Sequence, residues 1–224
     1  MTEVSLLITL IGFLLGMELQ KRFPHPLVNP TLISILGVAL YLGLTHVPYA
    51  QYRLHTEALQ FLLGPAVVAL AVPLYQQRDL LKAHLMSILL GFLTGGLTVL
   101  LVSFWLGKLL DLPPEAHLSL STMSSTSPIS LAVAQKLGFS GSLSAMVSIW
   151  TGILGALLLP PWLTRLGVRS PLLRGLTLGT LSHGIGTARM VQEGAVSTAA
   201  SSLGMGLNGA LTALLMPLVW HWLR

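Results

Sequence analysis

An all-α polytopic membrane protein is the fold class that this sequence predicts, and three observations predict it. Of 224 residues, 53% are hydrophobic and 8% charged, where a soluble domain carries about a quarter charged. The apolar residues gather into seven to eight segments, each near the roughly 20 residues that a spanning helix needs. Several of these segments are broken by proline, glycine and hydroxyl residues, which predicts interrupted or re-entrant helices. Irregular backbone is tolerated at membrane depth only where protein buries it or water reaches it. One bundle uses the whole length, so residues 1–224 are expected to form a single transmembrane domain.

Segment one, residues 4–19, is short and closed by Glu18, Lys21 and Arg22. The start, Met1-Thr2-Glu3, lacks the positive region of a secretory signal, which favours a retained first helix. Asn29-Pro30 opens segment two, residues 31–47, as an N-cap with proline in the first turn. After a polar loop, segment three (58–75) contains Gly64, Pro65 and Pro73, which predict a kinked or broken helix. Segment four (84–110) offers Gly91, Gly95 and Gly96 as a face for close helix contact.

Segment five (118–134) holds the cluster Ser124-Ser125-Thr126-Ser127-Pro128-Ile129-Ser130. A continuous span has no use for so many hydroxyls around a proline. Ser127-Pro128 reads as a helix start inside the membrane, with Ser127 as the cap. Free backbone N–H groups and a positive dipole end would then lie beside hydroxyl donors, an arrangement that suits an anion. Segment six (143–163) carries Gly152 and Gly155 and ends at Pro160-Pro161. Segment seven (172–191) contains Gly179-Thr180-Leu181-Ser182-His183-Gly184-Ile185-Gly186-Thr187-Ala188-Arg189, too polar and glycine-rich for a regular lipid-facing helix. Segment eight (196–222) begins with small residues, carries Asn208 and ends in Trp220, His221 and Trp222, of the kind found at a membrane interface.

The net charge of +5 comes from twelve basic residues scattered over the loops, with no basic run. That excludes nucleic acid as a partner and leaves anionic lipid headgroups of the bilayer. The absence of cysteine excludes disulfides, thiolate chemistry and thiolate metal sites. The seven histidines are scattered, so no metal and no cofactor is expected. If segment five is a re-entrant hairpin and the other segments span, Lys21, Arg22, Arg78, Lys82, Arg165, Arg169, Arg174 and Arg224 fall on one side. Arg53, Lys108, Lys136 and Arg189 fall on the other. The positive-inside tendency then puts the N-terminus outside and the C-terminus in the cytoplasm. Asn29-Pro30 echoes Ser127-Pro128, and Leu63-Gly64-Pro65 loosely echoes Leu178-Gly179-Thr180. Matched interruptions of this kind allow an inverted repeat with its site between them.

The candidate binding residues are Ser125, Thr126, Ser127, Ser182, His183, Gly184, Gly186, Thr187, Arg189 and Asn29. Arg189 can bind a carboxylate bidentately, or it snorkels to the interface if segment seven ends near Thr187. His183 is either a substrate or proton contact, given its titration range, or a histidine bonded inside a helix break. The hydroxyls of 125–127 either bind a ligand or join helices. Gly184 and Gly186 let backbone approach a ligand, and Asn29 either caps or contacts substrate. Asn208 is read as interhelical glue. No acid stands beside His183 in sequence and no nucleophile elbow occurs, so the chain is not expected to be an enzyme.

The interrupted segments resemble the LrgB/CidB family of bacterial inner-membrane proteins. The resemblance rests on Asn29-Pro30, on Phe61-Leu62-Leu63-Gly64-Pro65 through Pro73-Leu74-Tyr75, and on Thr126-Ser127-Pro128-Ile129. It continues in Thr151-Gly152-Ile153-Leu154-Gly155 and Ser182-His183-Gly184-Ile185-Gly186-Thr187-Ala188-Arg189. It implies transport of small monocarboxylates such as glycolate, glycerate or pyruvate, as in a similar plastid translocator, with an LrgA-like membrane partner. It equally implies the family's holin/antiholin role in murein hydrolase control, where a homo-oligomer would form or restrain lesions. In this family a basic residue commonly precedes the Ser/Thr-Pro motif, whereas here Met123 and Ser124 stand there, leaving fewer cationic groups to meet a substrate's charge.

Overall fold

The computed structural model describes residues 2–23 and 28–223, so Arg224, used in the charge tally above, lies outside it. The described residues form helices and no strand. They divide into two compact units, Met1–Ala69 and Leu70–Arg224. The chain is a multi-pass membrane protein. Five helical stretches are long and apolar enough to cross a bilayer: Val4–Arg22, Glu57–Gln76, Leu85–Leu109, Gly141–Arg165 and Ala195–Leu218, with Pro30–Thr45 a shorter apolar helix.

The first unit holds α1 (Thr2–Arg22), α2 (Pro30–Thr45), α3 (Tyr49–His55) and α4 (Glu57–Ala69). As expected, Asn29 caps α2: its Oδ1 accepts from the N–H groups of Thr31 (2.9 Å) and Leu32 (3.3 Å), and Pro30 occupies the first turn. Gly12 and Gly16 let α1 touch the backbone of α2 at Ser34 and Pro30, and the Ser34 hydroxyl donates to Thr9 O (3.1 Å). The helix break foreseen in segment three falls after Ala69. Pro73 has no N–H to give the Ala69 carbonyl four residues back.

The second unit holds α5 (Ala71–Gln76), α6 (Arg78–Ala83), α7 (Leu85–Leu109), α8 (Pro114–Ser121), α9 (Ser127–Leu137), α10 (Gly141–Arg165), α11 (Pro171–Met190) and α12 (Ala195–Leu223). Three of these, α7, α10 and α12, are long. Outward side chains of α7 such as Leu90, Leu97, Leu101 and Trp105 are exposed, as lipid-facing residues are. Its inner face meets α12: Ile88 clusters with Ala199, Gly96 lies against Asn208 and Leu211, and Leu100 clusters with Met216. The order is parallel.

Segment five is the re-entrant hairpin that its hydroxyls and proline suggest. With eight and 11 residues, α8 and α9 are about 12 and 16 Å long, short of the roughly 30 Å of a hydrocarbon core. Gly107 near the end of α7 lies against His117 at the start of α8. Gly141 at the start of α10 lies against Leu131 and Gln135 of α9. The Ser130 hydroxyl donates to Thr122 O (2.9 Å) across the hairpin. Both legs therefore begin and end at one end of the bundle.

Segment seven departs from expectation, because it does not cross. Gly175 faces Ser197 and Gly179 faces Ser201, and the Ser197 hydroxyl donates to Pro171 O (3.1 Å). The first half of α11 thus runs parallel to α12. Neighbouring parallel helices need the chain to return between them, and it does so at His183, whose backbone (φ 42, ψ −130) is not helical. Gly186 consequently packs on the carbonyl of Leu178. At the foot of this second hairpin Arg174 donates through Nε and Nη2 to Glu193 (2.6 and 2.8 Å). It also bonds Thr164 Oγ1, Val168 O and Pro160 O. The hydrogen bonds from Arg174 hold the Glu193 carboxyl below the usual carboxylate range.

The second unit is therefore a long helix and a hairpin, repeated upside down and closed by α12. Both long helices have 25 residues. Pro114 and Pro171, which open the two hairpins, stand 57 residues apart. This register differs from the proline echoes read in the sequence, which paired interruptions of different kinds.

Backbone contact between α11 and α12 sets a steric test. A Cβ at position 179 would sit 2.0 Å from Ser201 O, whereas position 206 has nothing within 4 Å. Gly179→Ala should lower the melting temperature of the purified protein by an amount corresponding to about 1–3 kcal/mol or more, and Gly206→Ala should leave it unchanged. Equal melting temperatures would refute the parallel packing.

Candidate functional site

The two hairpin tips meet on the first half of α10. At the first tip the backbone leaves α8 in tight turns, with Met123 N–H on Leu120 O and Ser125 N–H on Thr122 O, both 3.0 Å. The first helical bond of α9 runs from Ser130 N–H to Thr126 O (2.8 Å). Thr126, rather than the expected Ser127, is therefore the cap residue, and its hydroxyl makes no capping bond. The N–H groups of Ser127 and Ile129 precede that first bond and have no partner within the helix. Pro128 fits in the same turn because its missing N–H would have had no helical acceptor.

At the second tip His183 is buried and its Nε2 lies 2.8 Å from Ser148 O. A carbonyl can only accept, so Nε2 carries the hydrogen. Ser148 in turn donates its hydroxyl to Ser125 O. One residue of α10 thus holds both breaks: its carbonyl receives the second tip and its hydroxyl secures the first. The other wall is α12, where Asn208 Nδ2 donates to Ser124 O (2.9 Å) and to Ser124 Oγ (3.1 Å). On the second hairpin Thr187 Oγ1 donates to His183 O (2.8 Å) and pairs with Ser201 Oγ (2.9 Å).

The sequence candidates divide accordingly. Ser125, His183 and Thr187 are brought to one place through Ser148 and Ser201. Ser125 and Ser182 are almost wholly buried, and neither hydroxyl has a hydrogen-bond partner among the described residues. A buried hydroxyl left unpaired costs about 1–3 kcal/mol, and one at each tip calls for an explanation beyond packing. Thr126 and Ser127 are half-buried and Pro128 is exposed, so the first tip has an open face. Gly184 is half-buried, whereas Gly186 is enclosed against Leu178 and Ser182.

Arg189 lies six residues past the break, about 9 Å along a helix. It is half-buried toward the mouth of the hairpin, and its charge contributes to the field at Glu193. Asn29 belongs to the first unit, where its side-chain oxygen caps α2.

Ser148, Ser124 and Ser201 were not among the sequence candidates. A signal for Ser148 exists in the spacing of Ser144, Ser148, Gly152 and Gly155, which puts a small polar stripe on one face of segment six. Gly152 faces His183 and Gly155 faces Ser182 along that stripe. Asn208, read as interhelical glue, does bind another element. Its partner is the backbone of the first tip.

Chemically the tips offer hydroxyl donors, two free N–H groups at the positive end of an 11-residue helix and one imidazole, with no carboxylate among them. Such a set favours a small anion.

The sequence profile of the LrgB-like family matches residues 9–222. The chain is 32% identical over 216 residues to a Bacillus subtilis protein named Uncharacterized protein YxaC, covering 96% of this chain and 94% of that one. It is 30% identical over 216 residues to the Holin-like protein CidB of Staphylococcus epidermidis, with the same coverage. A second Bacillus subtilis protein, YwbG, is 31% identical over 214 residues, covering 96% of this chain and 95% of that one. No solved structure matches the chain.

Asn208→Ala removes the donors that satisfy the buried Ser124 carbonyl and should lower stability by about 1–3 kcal/mol, read as a drop in melting temperature. Loss of the exposed Thr94 hydroxyl, which bonds only within its own helix, should not. An unchanged melting temperature for Asn208→Ala would contradict the attachment of the first tip to α12.

Proposed function

The chain belongs to the LrgB-like family, and from that premise we propose that it carries small monocarboxylates, of the glycolate, glycerate or pyruvate class, across the bacterial inner membrane by alternating access. The observation that carries this reading is the meeting of two oppositely inserted hairpins at Ser148. Opposed breaks at mid-membrane supply a site that either end of the bundle can reach. The carboxylate sits at the start of α9, held by the Ser127 and Ile129 N–H groups and the Ser125 hydroxyl, with Ser182 and His183 completing the site from the other tip. Thr126 and Gly184 line its partly open rim, and Arg189 draws the anion toward it. On this reading the protein is a carrier. An LrgA-like membrane protein serves as its partner.

Orientation follows from the returned hairpin. Arg78, Lys82, Arg165, Arg169, Arg174 and Arg189 collect at one end of the second unit, against Lys108 and Lys136 at the other. Positive-inside bias puts the first end in the cytoplasm. The end of α12 then lies outside, in place of the cytoplasmic C-terminus that a crossing segment seven implied.

The printed name of the Staphylococcus relatives, Holin-like protein, favours a second reading, in which the chain oligomerises and controls murein hydrolases through membrane lesions. Proteoliposomes separate the two. A carrier takes up labelled glycolate, glycerate or pyruvate saturably, with or without the partner, and stays tight to a trapped dye. Dye leakage without saturable uptake would instead support the lesion. Ser125→Ala should reduce uptake at least tenfold, and Arg189→Ala should raise KM several-fold with kcat retained. Wild-type kinetics in Arg189→Ala would remove that residue from the site.

A further inference from the structure

The two hairpins match in design and differ at their feet. Moving 57 residues back from Arg174 and Glu193, which clamp the foot of the α11 hairpin, leads to His117 and Lys136 on the α8–α9 hairpin. That second pair cannot form the same bond. The Nε2 of His117 is buried without a hydrogen-bond partner, its ring packed on Phe104 (centroids 5.1 Å apart) and on Gly107. Lys136 is exposed and makes no ion pair among the described residues. Arg174, by contrast, ties the second hairpin to Glu193, to Thr164 and Pro160 of α10 and to Val168 beyond it.

Packing repeats the asymmetry. The α11 hairpin meets α12 backbone to backbone, since a Cβ at Gly175 or Gly179 would come within 2.2 Å or 2.0 Å of a carbonyl oxygen. The legs of the α8–α9 hairpin rest on their neighbours through side chains: Ile129 over Gly209, Leu118 beside Met216, and the Ser144 hydroxyl donating to that of Ser119 (3.1 Å). Its tip is held by side chains too, the Asn208 amide and the Ser148 hydroxyl. Interlocked backbones resist sliding, whereas side-chain contacts and single hydroxyl bonds separate and re-form at low free energy.

From these differences we infer that the α8–α9 hairpin is the moving gate of the protein and the α11 hairpin its fixed counterpart, so the site opens first toward the end that carries Lys108 and Lys136. As a gate for substrate, this rests on the carrier reading. As a difference in mobility, it stands alone.

Hydrogen exchange followed by mass spectrometry on the full chain in lipid nanodiscs tests the mobility directly. Amides of 114–137 should exchange at least tenfold faster than those of 171–190. Glu193→Gln should accelerate exchange in 171–190 severalfold and leave 114–137 as it was. Equal rates in the wild-type hairpins, faster exchange in 171–190, or no response to Glu193→Gln would overturn the inference. None of these readings needs transport. In proteoliposomes, a Ser119→Cys, Ser144→Cys pair in this cysteine-free chain should form a disulfide that stops uptake, with recovery on reduction. Full uptake in the oxidised protein would overturn the gate. If the reduced protein shows no uptake, the carrier reading fails and the exchange rates still decide mobility.

Discussion

Ser148 is the point on which the second unit turns. In lipid every backbone polar group needs a partner, and a broken helix exposes several at once. Two such breaks meet in the second unit, and one serine in the first half of α10 bonds a group of each: its carbonyl takes the His183 imidazole Nε2–H, and its hydroxyl serves Ser125 O. Asn208 and Ser201 on α12 supply further bonds from the opposite wall. The breaks are affordable only because they face each other. That mutual dependence also fixes the topology, since hairpins entering from opposite ends can share a mid-membrane residue while keeping their charged feet at separate surfaces.

Glycine makes this arrangement sterically feasible, although the decisive positions are few. Gly175 and Gly179 allow α11 to lie on the backbone of α12, and Gly152 and Gly155 leave room on α10 for His183 and Ser182. A side chain at any of these would move a tip by ångströms. The polar stripe of α10 and the small-residue face of α12 are therefore parts of the same site, though neither holds the motifs that first draw the eye.

Much of this was legible in the sequence. Composition gave the membrane class, Asn29-Pro30 gave a true cap, and Ser127-Pro128 located a helix start to within one residue. The hairpin reading of segment five agreed with the structure, although the charge tally behind it took segment seven to cross and so set Arg189 at the wrong end of the second unit. Segment seven was harder, because its 20 residues are long enough to cross and its break lies at a single histidine rather than at a proline. Only the parallel contact with α12 reveals the return, and nothing local in sequence reports which helices will be neighbours. The role of Ser148 was hidden for the same reason: a serine at helical spacing acquires meaning only when two distant turns arrive beside it. The position of Arg189 was equally hidden, since its distance from the tip depends on the way the chain runs after His183.

The central claim is that a carboxylate is held between these tips. Solid-state NMR on membrane-embedded protein, with ¹⁵N in the backbone and imidazole and ¹³C in the carboxyl of glycolate, measures that contact directly. The account predicts dipolar coupling from the carboxyl carbon to the Ser127 amide and the His183 ring. Coupling absent at saturating glycolate, or confined to residues far from both breaks, would contradict it.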